Sequence, residues 1–274
     1  MKTKLDIDFL KNISSKVHSE IRPLIGTPKA SEIVGDGAGG DKTRYIDYLA
    51  EKIIFDTLEE NSVACTAISE EAGIKYIGDL KEASPPYLII DSIDGTNNAL
   101  RGIPLFALSL AVAGDTTLST VHTALVMDLY HGFSFWALKG RGSESDSGKI
   151  TTSGTTSLSE AVIGIDLNAL INENILKKLS KLILSSHHIR HLGTTAIENC
   201  YVASGKIDAF IELRNKLRIT DMAAAYLILK EAGGLMVTEE GEDLDSPITS
   251  PTQRVSFVSS GNQKLLDQII DLLK

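Results

Sequence analysis

Pro86-Tyr87-Leu88-Ile89-Ile90-Asp91-Ser92-Ile93-Asp94-Gly95-Thr96 is the stretch on which the fold turns. Tyr87 to Ile90 is an apolar run behind a double proline, and it reads as a buried strand. Two carboxylates leave the strand end together, and a glycine and a hydroxyl follow at once. Carboxylates this close repel unless a cation sits between them. Hard oxygen ligands suit Mg²⁺, which keeps positions for water and phosphate. The alternative is an Asp/Gly turn that simply closes the strand, the commonest fate of such residues.

Two further acidic clusters bear on that choice. Upstream, Ala67-Ile68-Ser69-Glu70-Glu71 is again a short apolar stretch ending in carboxylates. Downstream, Ile219-Thr220-Asp221 opens a segment that reads as a helix and stops at Gly233-Gly234. A carboxylate at a helix start can also simply cap it. Three acidic clusters, each at an element end, fit metal coordination better than three unrelated turns.

Outward from these clusters, Ile7, Leu10, Ile13, Val17, Ile21 and Leu24 recur at helical spacing. Gly26 to Gly40 is glycine-rich, carries Asp36 and reads as a mobile loop. A second helix follows with Ile46, Leu49, Ile53 and Leu58 on one face and Asp47 one step beyond that stripe. Strands are expected near 63–69, 86–91, 105–113, 120–127 and 132–138. Gly140 to Ser159, rich in Ser, Thr and Gly, suits a hairpin and a crossing between an N-terminal lobe (1–150) and a C-terminal lobe (151–274). Beyond it come a strand near 161–166, helices near 168–186 and 194–204, a strand near 207–213 and the helix 221–232. Short strands near 234–238 and 255–259 precede a terminal helix from Gln263. Mixed layers of this kind imply an α/β or α+β sandwich.

The 274 residues suffice for one large domain or two lobes sharing a core. A net charge of −9 argues against a nucleic-acid partner, and it requires local cations wherever a phosphate is to bind. Cys65 and Cys200 are too few for a disulfide framework and read as reduced core residues of a cytoplasmic protein. The start, Met1-Lys2-Thr3-Lys4-Leu5-Asp6, has no apolar leader core, and no run reaches membrane-spanning length. The histidines show no ligand spacing, and none is assigned a catalytic role.

Ser69-Glu70-Glu71, Asp91-Ser92-Ile93-Asp94-Gly95-Thr96-Asn97, Thr220-Asp221-Met222-Ala223-Ala224 and Glu231-Ala232-Gly233-Gly234 together resemble the signatures of the inositol monophosphatase superfamily, Mg²⁺-dependent phosphatases. Order and spacing match along nearly the whole chain. Gly40-Asp41-Lys42-Thr43 with Ile46-Asp47 is similar to the archaeal branch, whose members hydrolyse inositol monophosphate and fructose 1,6-bisphosphate. His191-Leu192-Gly193-Thr194-Thr195-Ala196 and Ser204-Gly205-Lys206-Ile207-Asp208 resemble its substrate-side segments. The resemblance implies a layered α-β-α-β-α sandwich with the metals between the lobes, and a homodimer.

It also implies roles. Glu70, Asp91 and the Ile93 carbonyl would hold one Mg²⁺, and Asp91 and Asp94 would bridge toward a second completed by Asp221. A third, weaker ion would use Glu70 with Asp36 or Asp41 of the glycine-rich loop, although a solvated loop charge is the better reading of Asp36. Two metals about 3.5–4 Å apart can clamp the attacking and leaving oxygens of an in-line displacement. Thr96, with Asp47 behind its hydroxyl, would orient the water, and Glu70 belongs to the same catalytic set. Asp94, Gly95, Thr96 and Thr195 would contact the substrate. Arg190 and Arg214 are the favoured phosphate-binding cations, drawn from a local cluster that includes Lys216 and Arg218. Their alternative is a solvated surface arginine.

Ser69, Ser92, Thr220 and Asn98 depart from the usual Gly, Pro, Trp and aromatic of the pattern, and none removes a ligand. A 3′-phosphonucleotide or NADP phosphatase of the same superfamily is the nearest alternative. A non-catalytic metal-binding module would not require Thr96 and Asp47. The haloacid-dehalogenase phosphatases also use Asp-Gly-Thr, but their two aspartates sit two apart and one of them forms a phospho-enzyme.

Overall fold

A computed structural model describes residues 5–168 and 172–274. Met1 to Lys4 and the start of the helix expected near 168–186 (169–171) lie outside the described residues. Helix α1 (Ile7–Ile21) starts on Asp6, whose carboxylate accepts the Phe9 N–H at 3.0 Å. It buries Leu10, Ile13, Val17 and Ile21 as the periodicity requires.

The glycine-rich stretch differs from a plain loop. It carries β1 (Ile33–Asp36), which pairs antiparallel with β2 (Lys42–Arg44). All four residues of β1 are exposed, so no alternation of apolar and polar residues marks it in the sequence. In α2 (Tyr45–Glu60) the buried stripe is Ile46, Asp47, Ala50, Glu51, Ile54 and Leu58, whereas Leu49 and Ile53 are only half-buried. The helix is therefore turned by about one residue from the face its apolar residues suggest, and Asp47 points inward.

The large sheet has eight strands in the order β10-β9-β8-β7-β6-β5-β3-β4. They are β3 (Cys65–Ser69), β4 (Gly73–Ile77), β5 (Tyr87–Asp94), β6 (Ala107–Ala113), β7 (Val121–Asp128), β8 (Phe133–Leu138), β9 (Ser143–Ser145) and β10 (Gly148–Ile150). Short helix α3 (Thr96–Arg101) follows β5. The small sheet has five strands in the order β12-β11-β13-β15-β14: β11 (Val162–Ile165), β12 (His188–Arg190), β13 (Ala209–Arg218), β14 (Leu235–Val237) and β15 (Arg254–Ser260). The remaining helices are α4 (Glu173–Ser185), α5 (Thr195–Ala203), α6 (Ile219–Glu231) and α7 (Gln263–Leu273). Edge strand β4 was not anticipated, because Ile74, Lys75 and Tyr76 are exposed at its centre.

Three apolar clusters order the layers. Leu88, Ile90, Leu108 and Leu110 pack toward α1 and α2, while their alternating neighbours Tyr87, Ile89, Ala107 and Ala111 face α5 and α6. Helices α5 and α6 lie between the two sheets, with Phe210 and Phe257 closing the other side. Ile211 and Val258 turn outward to α4 and α7. The order is α-β-α-β-α. Helix α6 is apolar nearly all round because it is buried between sheets. Its Ala223, Ala224 and Ala225, and the sheet's Ala111, Ala124 and Ala137, let it lie close.

Candidate active site

Strands β3 and β5 are parallel neighbours, with Ser69 opposite Ile90, so Glu70 and Asp91 emerge side by side from their C-terminal ends. A regular strand would then send Asp94 to the opposite face from Asp91. The ladder between β5 and β6 shifts between Asp91 and Asp94, where one extra residue is inserted. Ser92 and Ile93 both turn toward α2 as a result, and Asp94 comes back to the face that holds α5. Gly95 follows in a left-handed conformation (φ 90°), and a Cβ there would stand 3.1 Å from the Gly193 carbonyl oxygen. Only glycine meets both demands.

Asp221 enters from the first turn of α6. It caps that helix by accepting the Arg218 N–H at 3.2 Å, so the capping reading holds. It also faces the strand ends: carboxylate oxygens of Glu70, Asp91 and Asp221 lie within 4.8 Å of one another. Burial, followed by repulsion from Asp221 and Glu70, pushes the Asp91 carboxyl well above the usual range. Glu70 is raised by burial and Asp221, and Asp221 itself by burial. Asp94 is pushed up to about 7 by burial and Asp221, against the lowering effect of hydrogen bonds from the Thr194 hydroxyl and the Ala196 N–H, both 2.6 Å. Hard oxygen donors that burial and mutual repulsion keep from ionising fit a hard divalent cation.

The Thr96 hydroxyl lies 3.0 Å from Asp47 Oδ1 and 3.0 Å from the Ile93 carbonyl oxygen. One proton serves two acceptors, which leaves oxygen lone pairs of Thr96 for a donor. Burial and then Glu71 raise Asp47 to about 7, against the Thr96 bond.

A raised carboxyl binds its proton more tightly in the folded chain, so it favours folding below its folded value and opposes it as pH rises through that value. Asp47, Glu51 and Asp94 at about 7 and Glu198 at about 8 share this sign. The metal-free protein should therefore melt at least about 5 °C lower at pH 8 than at pH 5.5, a shift needing roughly 2 kcal/mol in a chain of this size. Scanning calorimetry in EDTA measures it; a higher melting temperature at pH 8 would remove the carboxylates from this role.

A cleft of about 720 Å³ opens over these residues, lined by Asp47, Glu70, Asp91, Ile93, Asp94, Gly95, Thr96, Thr195 and Asp221 among others. Arg190 is not brought to it: it is exposed on edge strand β12 and bonds its neighbour's carbonyl at 2.9 Å. Arg214 does line the cleft, but its guanidinium is buried between Asp166 and Glu212, with Nε 2.9 Å from a Glu212 carboxylate oxygen. It is not a free cation. Lys42 on the cleft wall is exposed but pairs with Asp36, whereas Lys216 is exposed there with no ion-pair partner among the described residues, at a break in the β13–β15 ladder next to Asn215 in a left-handed conformation (φ 52°). His191, given no role by its spacing, is on the wall too.

Asp166 and Asn168 also line the cleft, and the sequence reading gives neither a role. Their signal was present, since Val162-Ile163-Gly164-Ile165-Asp166 is another apolar run ending in a carboxylate. The four departures from the family pattern make polar contacts. Ser69 Oγ accepts the Glu71 N–H at 3.3 Å, the Ser92 hydroxyl donates to the Asp47 carbonyl at 3.4 Å, and the Thr220 hydroxyl donates to Asp221 at 3.0 Å. Asn98 donates to the Leu105 and Leu192 carbonyls at 2.8 and 2.9 Å, tying α3 to the segment before α5.

Comparison with known proteins agrees with this architecture. A fructose-1,6-bisphosphatase/inositol-1-monophosphatase of Methanothermobacter thermautotrophicus is 34% identical over 98% of both chains. A bifunctional NADP phosphatase/NAD kinase of Methanococcus maripaludis is 31% identical over 97% of this chain, which spans 49% of that longer protein. A solved inositol monophosphatase-fructose 1,6 bisphosphatase superposes with a TM-score of 0.87 at 30% identity, covering 98% of this chain and all of that one. The sequence model of the inositol monophosphatase family matches residues 3–274, and the chain belongs to that family.

Proposed function

We propose that this chain is a Mg²⁺-dependent phosphomonoesterase that hydrolyses inositol 1-phosphate and fructose 1,6-bisphosphate. The observation that carries the reading is the convergence of Glu70, Asp91 and Asp221 beside the Thr96–Asp47 pair on one cleft. Glu70, Asp91, the Ile93 carbonyl, Asp94 and Asp221 would hold two Mg²⁺ ions, which supply charge to the phosphoryl oxygens and acidity to the attacking water. Thr96 Oγ would take the proton of the attacking water as its own proton passes to the Asp47 carboxylate 3.0 Å away, so Thr96 ends neutral and Asp47 protonated. The backbone N–H groups at Gly95 and Thr96 meet the phosphate, with α3 behind them. Asp94, already held by Thr194 and the start of α5, fixes the distance from the strand ends to the substrate side. Cleft residues come from both 1–150 and 151–274, which supports a site between two lobes. A homodimer belongs to the same reading, supported by the exposed Ile74 and Tyr76 on edge strand β4.

In a chain of net charge −9 a second phosphate requires a cation away from the metals. Lys216 is that cation, and Arg214 is the residue that positions Asp166. Lys216→Ala should lower kcat/KM for fructose 1,6-bisphosphate about ten- to hundredfold, the cost of a charge-assisted contact, with a much smaller loss on inositol 1-phosphate. Arg214→Ala should harm both substrates and the fold, because it leaves Asp166 and Glu212 buried without their cation. Equal losses on the two substrates for Lys216→Ala would remove it from the distal phosphate. Phosphate release with Mg²⁺ from inositol 1-phosphate, fructose 1,6-bisphosphate and NADP tests the whole reading. Release from NADP alone would move the chain to the phosphatase activity named in its bifunctional relative.

A further inference from the structure

The guanidinium of Arg218, at the end of β13, lies between carboxylates from distant parts of the chain. Nη1 is 3.0 Å from a Glu70 oxygen, and Nη2 pairs with Asp41 in the turn between β1 and β2. The Arg218 side chain is 15% exposed and that of Asp41 is 76% exposed, so the cation is the more buried partner. A second arginine reaches the same turn: Arg254 Nη2 donates to the Gly39 carbonyl at 2.8 Å. The backbone of the turn docks on the end of β3, with the Ala38 N–H on the Glu71 carbonyl at 3.0 Å and the Gly39 N–H on that of Glu70 at 2.7 Å. The seat is tight. A Cβ on Gly39 would stand 2.8 Å from Arg218 Nε and 3.1 Å from Glu70 Cγ. Arg218 Nε is buried and has no hydrogen-bond partner among the described residues.

A third, weaker cation is one reading of Glu70 with Asp41 of this turn or with Asp36 at the end of β1. Asp36 pairs instead with Lys42, and Asp41 with Arg218. We infer that Arg218 is the chain's own cation at that position: a positioning residue that holds the turn Gly37–Asp41 closed over Glu70 without a bound metal. Its charge is permanent, and its fork matches two carboxylates at once. A divalent ion entering between Glu70 and Asp41 would meet that guanidinium at contact distance and be repelled. The turn is therefore closed before any metal binds, and the site takes two divalent ions rather than three. The inference rests on the phosphatase reading only in treating Glu70 as a metal ligand.

Hydrogen exchange of residues 36–44 in EDTA tests the latch, and Mn²⁺ binding followed by electron paramagnetic resonance counts the ions; neither needs substrate. In the wild-type protein the Ala38 and Gly39 amides should be protected without metal. In Arg218→Gln they should exchange about ten- to a hundredfold faster, as the loss of charge-assisted bonds predicts, and one additional Mn²⁺ should bind. Asp41→Asn, a change on the exposed side of the pair, should accelerate exchange about two- to fivefold with the fold unaffected. Wild-type amides that are unprotected in EDTA, or equally protected in both variants, would overturn the latch. Three Mn²⁺ in the wild type would overturn the substitution of an arginine for an ion. A protected turn in a protein that releases no phosphate would leave this inference standing and sink the phosphatase reading alone.

Discussion

Replacing Asp221 with asparagine is expected to lower kcat/KM about 10³-fold while raising the melting temperature of the metal-free protein at pH 8. The first effect is the upper end of what one electrostatic stabiliser of a transition state is worth. Its size follows from position, because Asp221 is the charge shared by the strand-end carboxylates: after burial, it is the largest cause of the raised values of Glu70, Asp91 and Asp94. The second effect has the same origin. Repulsion from Asp221 opposes ionisation of all three, Asp94 at about 7 among them, so removing that charge relieves them as pH rises. The amide oxygen of asparagine can still accept the Arg218 N–H, so the start of α6 is kept. Phosphate release and thermal melts in EDTA decide the matter. Near-normal turnover in a folded Asp221→Asn protein would end the metal assignment, and a clear loss of metal-free stability would show that Asp221 matters mainly as a cap.

Thr96→Ala and Asp47→Asn should each slow the chemical step about 10²- to 10³-fold, and the double variant should be no slower than the worse single one. The basis is the 3.0 Å bond between the Thr96 hydroxyl and Asp47. A hydroxyl that passes a proton to one carboxylate works as a unit with it, and removing either part takes most of the effect. Asp47 is buried, and asparagine preserves its shape, so the single-turnover rates report chemistry rather than folding. Multiplicative losses would mean that the two side chains act on different steps.

Asp47 also shows where reading a sequence falls short. On helical spacing it lies just outside the stripe Ile46, Leu49, Ile53 and Leu58, which describes a solvent-facing residue. In the structure Asp47 is 3% exposed, and Glu51, one turn on, is buried with it. Apolar periodicity assumes that only apolar residues turn inward, and an active site breaks that assumption by burying carboxylates. Arg214 errs the other way. Its charge and place before Asp221 mark it as a phosphate ligand, yet Glu212, two positions back on the same strand, and Asp166, 48 positions away in the sequence, take its charge. Glu212 is visible beside it in the sequence, but the pairing with Asp166 is set by the packing of β11 on β13, which leaves no local trace.

What the sequence alone determined is the layered order and the strand ends. Apolar runs of strand length, amphipathic stripes and carboxylates at element ends are local patterns, and they carry a mixed α/β sandwich and the positions of Glu70, Asp91, Asp94 and Asp221. The α-β-α-β-α order came from the joint resemblance of the motifs to a known family. Only the tertiary structure decided how those ends meet. The parallel register of β3 on β5, the bulge after Asp91 and the burial of α6 between two sheets bring three of the carboxylates within 4.8 Å. The choice among cations was decided there as well: Arg190 is left on an edge strand, Arg214 is neutralised, and Arg218 is set between Glu70 and Asp41. A charge acts through distance and through the dielectric around it, and both are properties of the packed chain rather than of any segment within it.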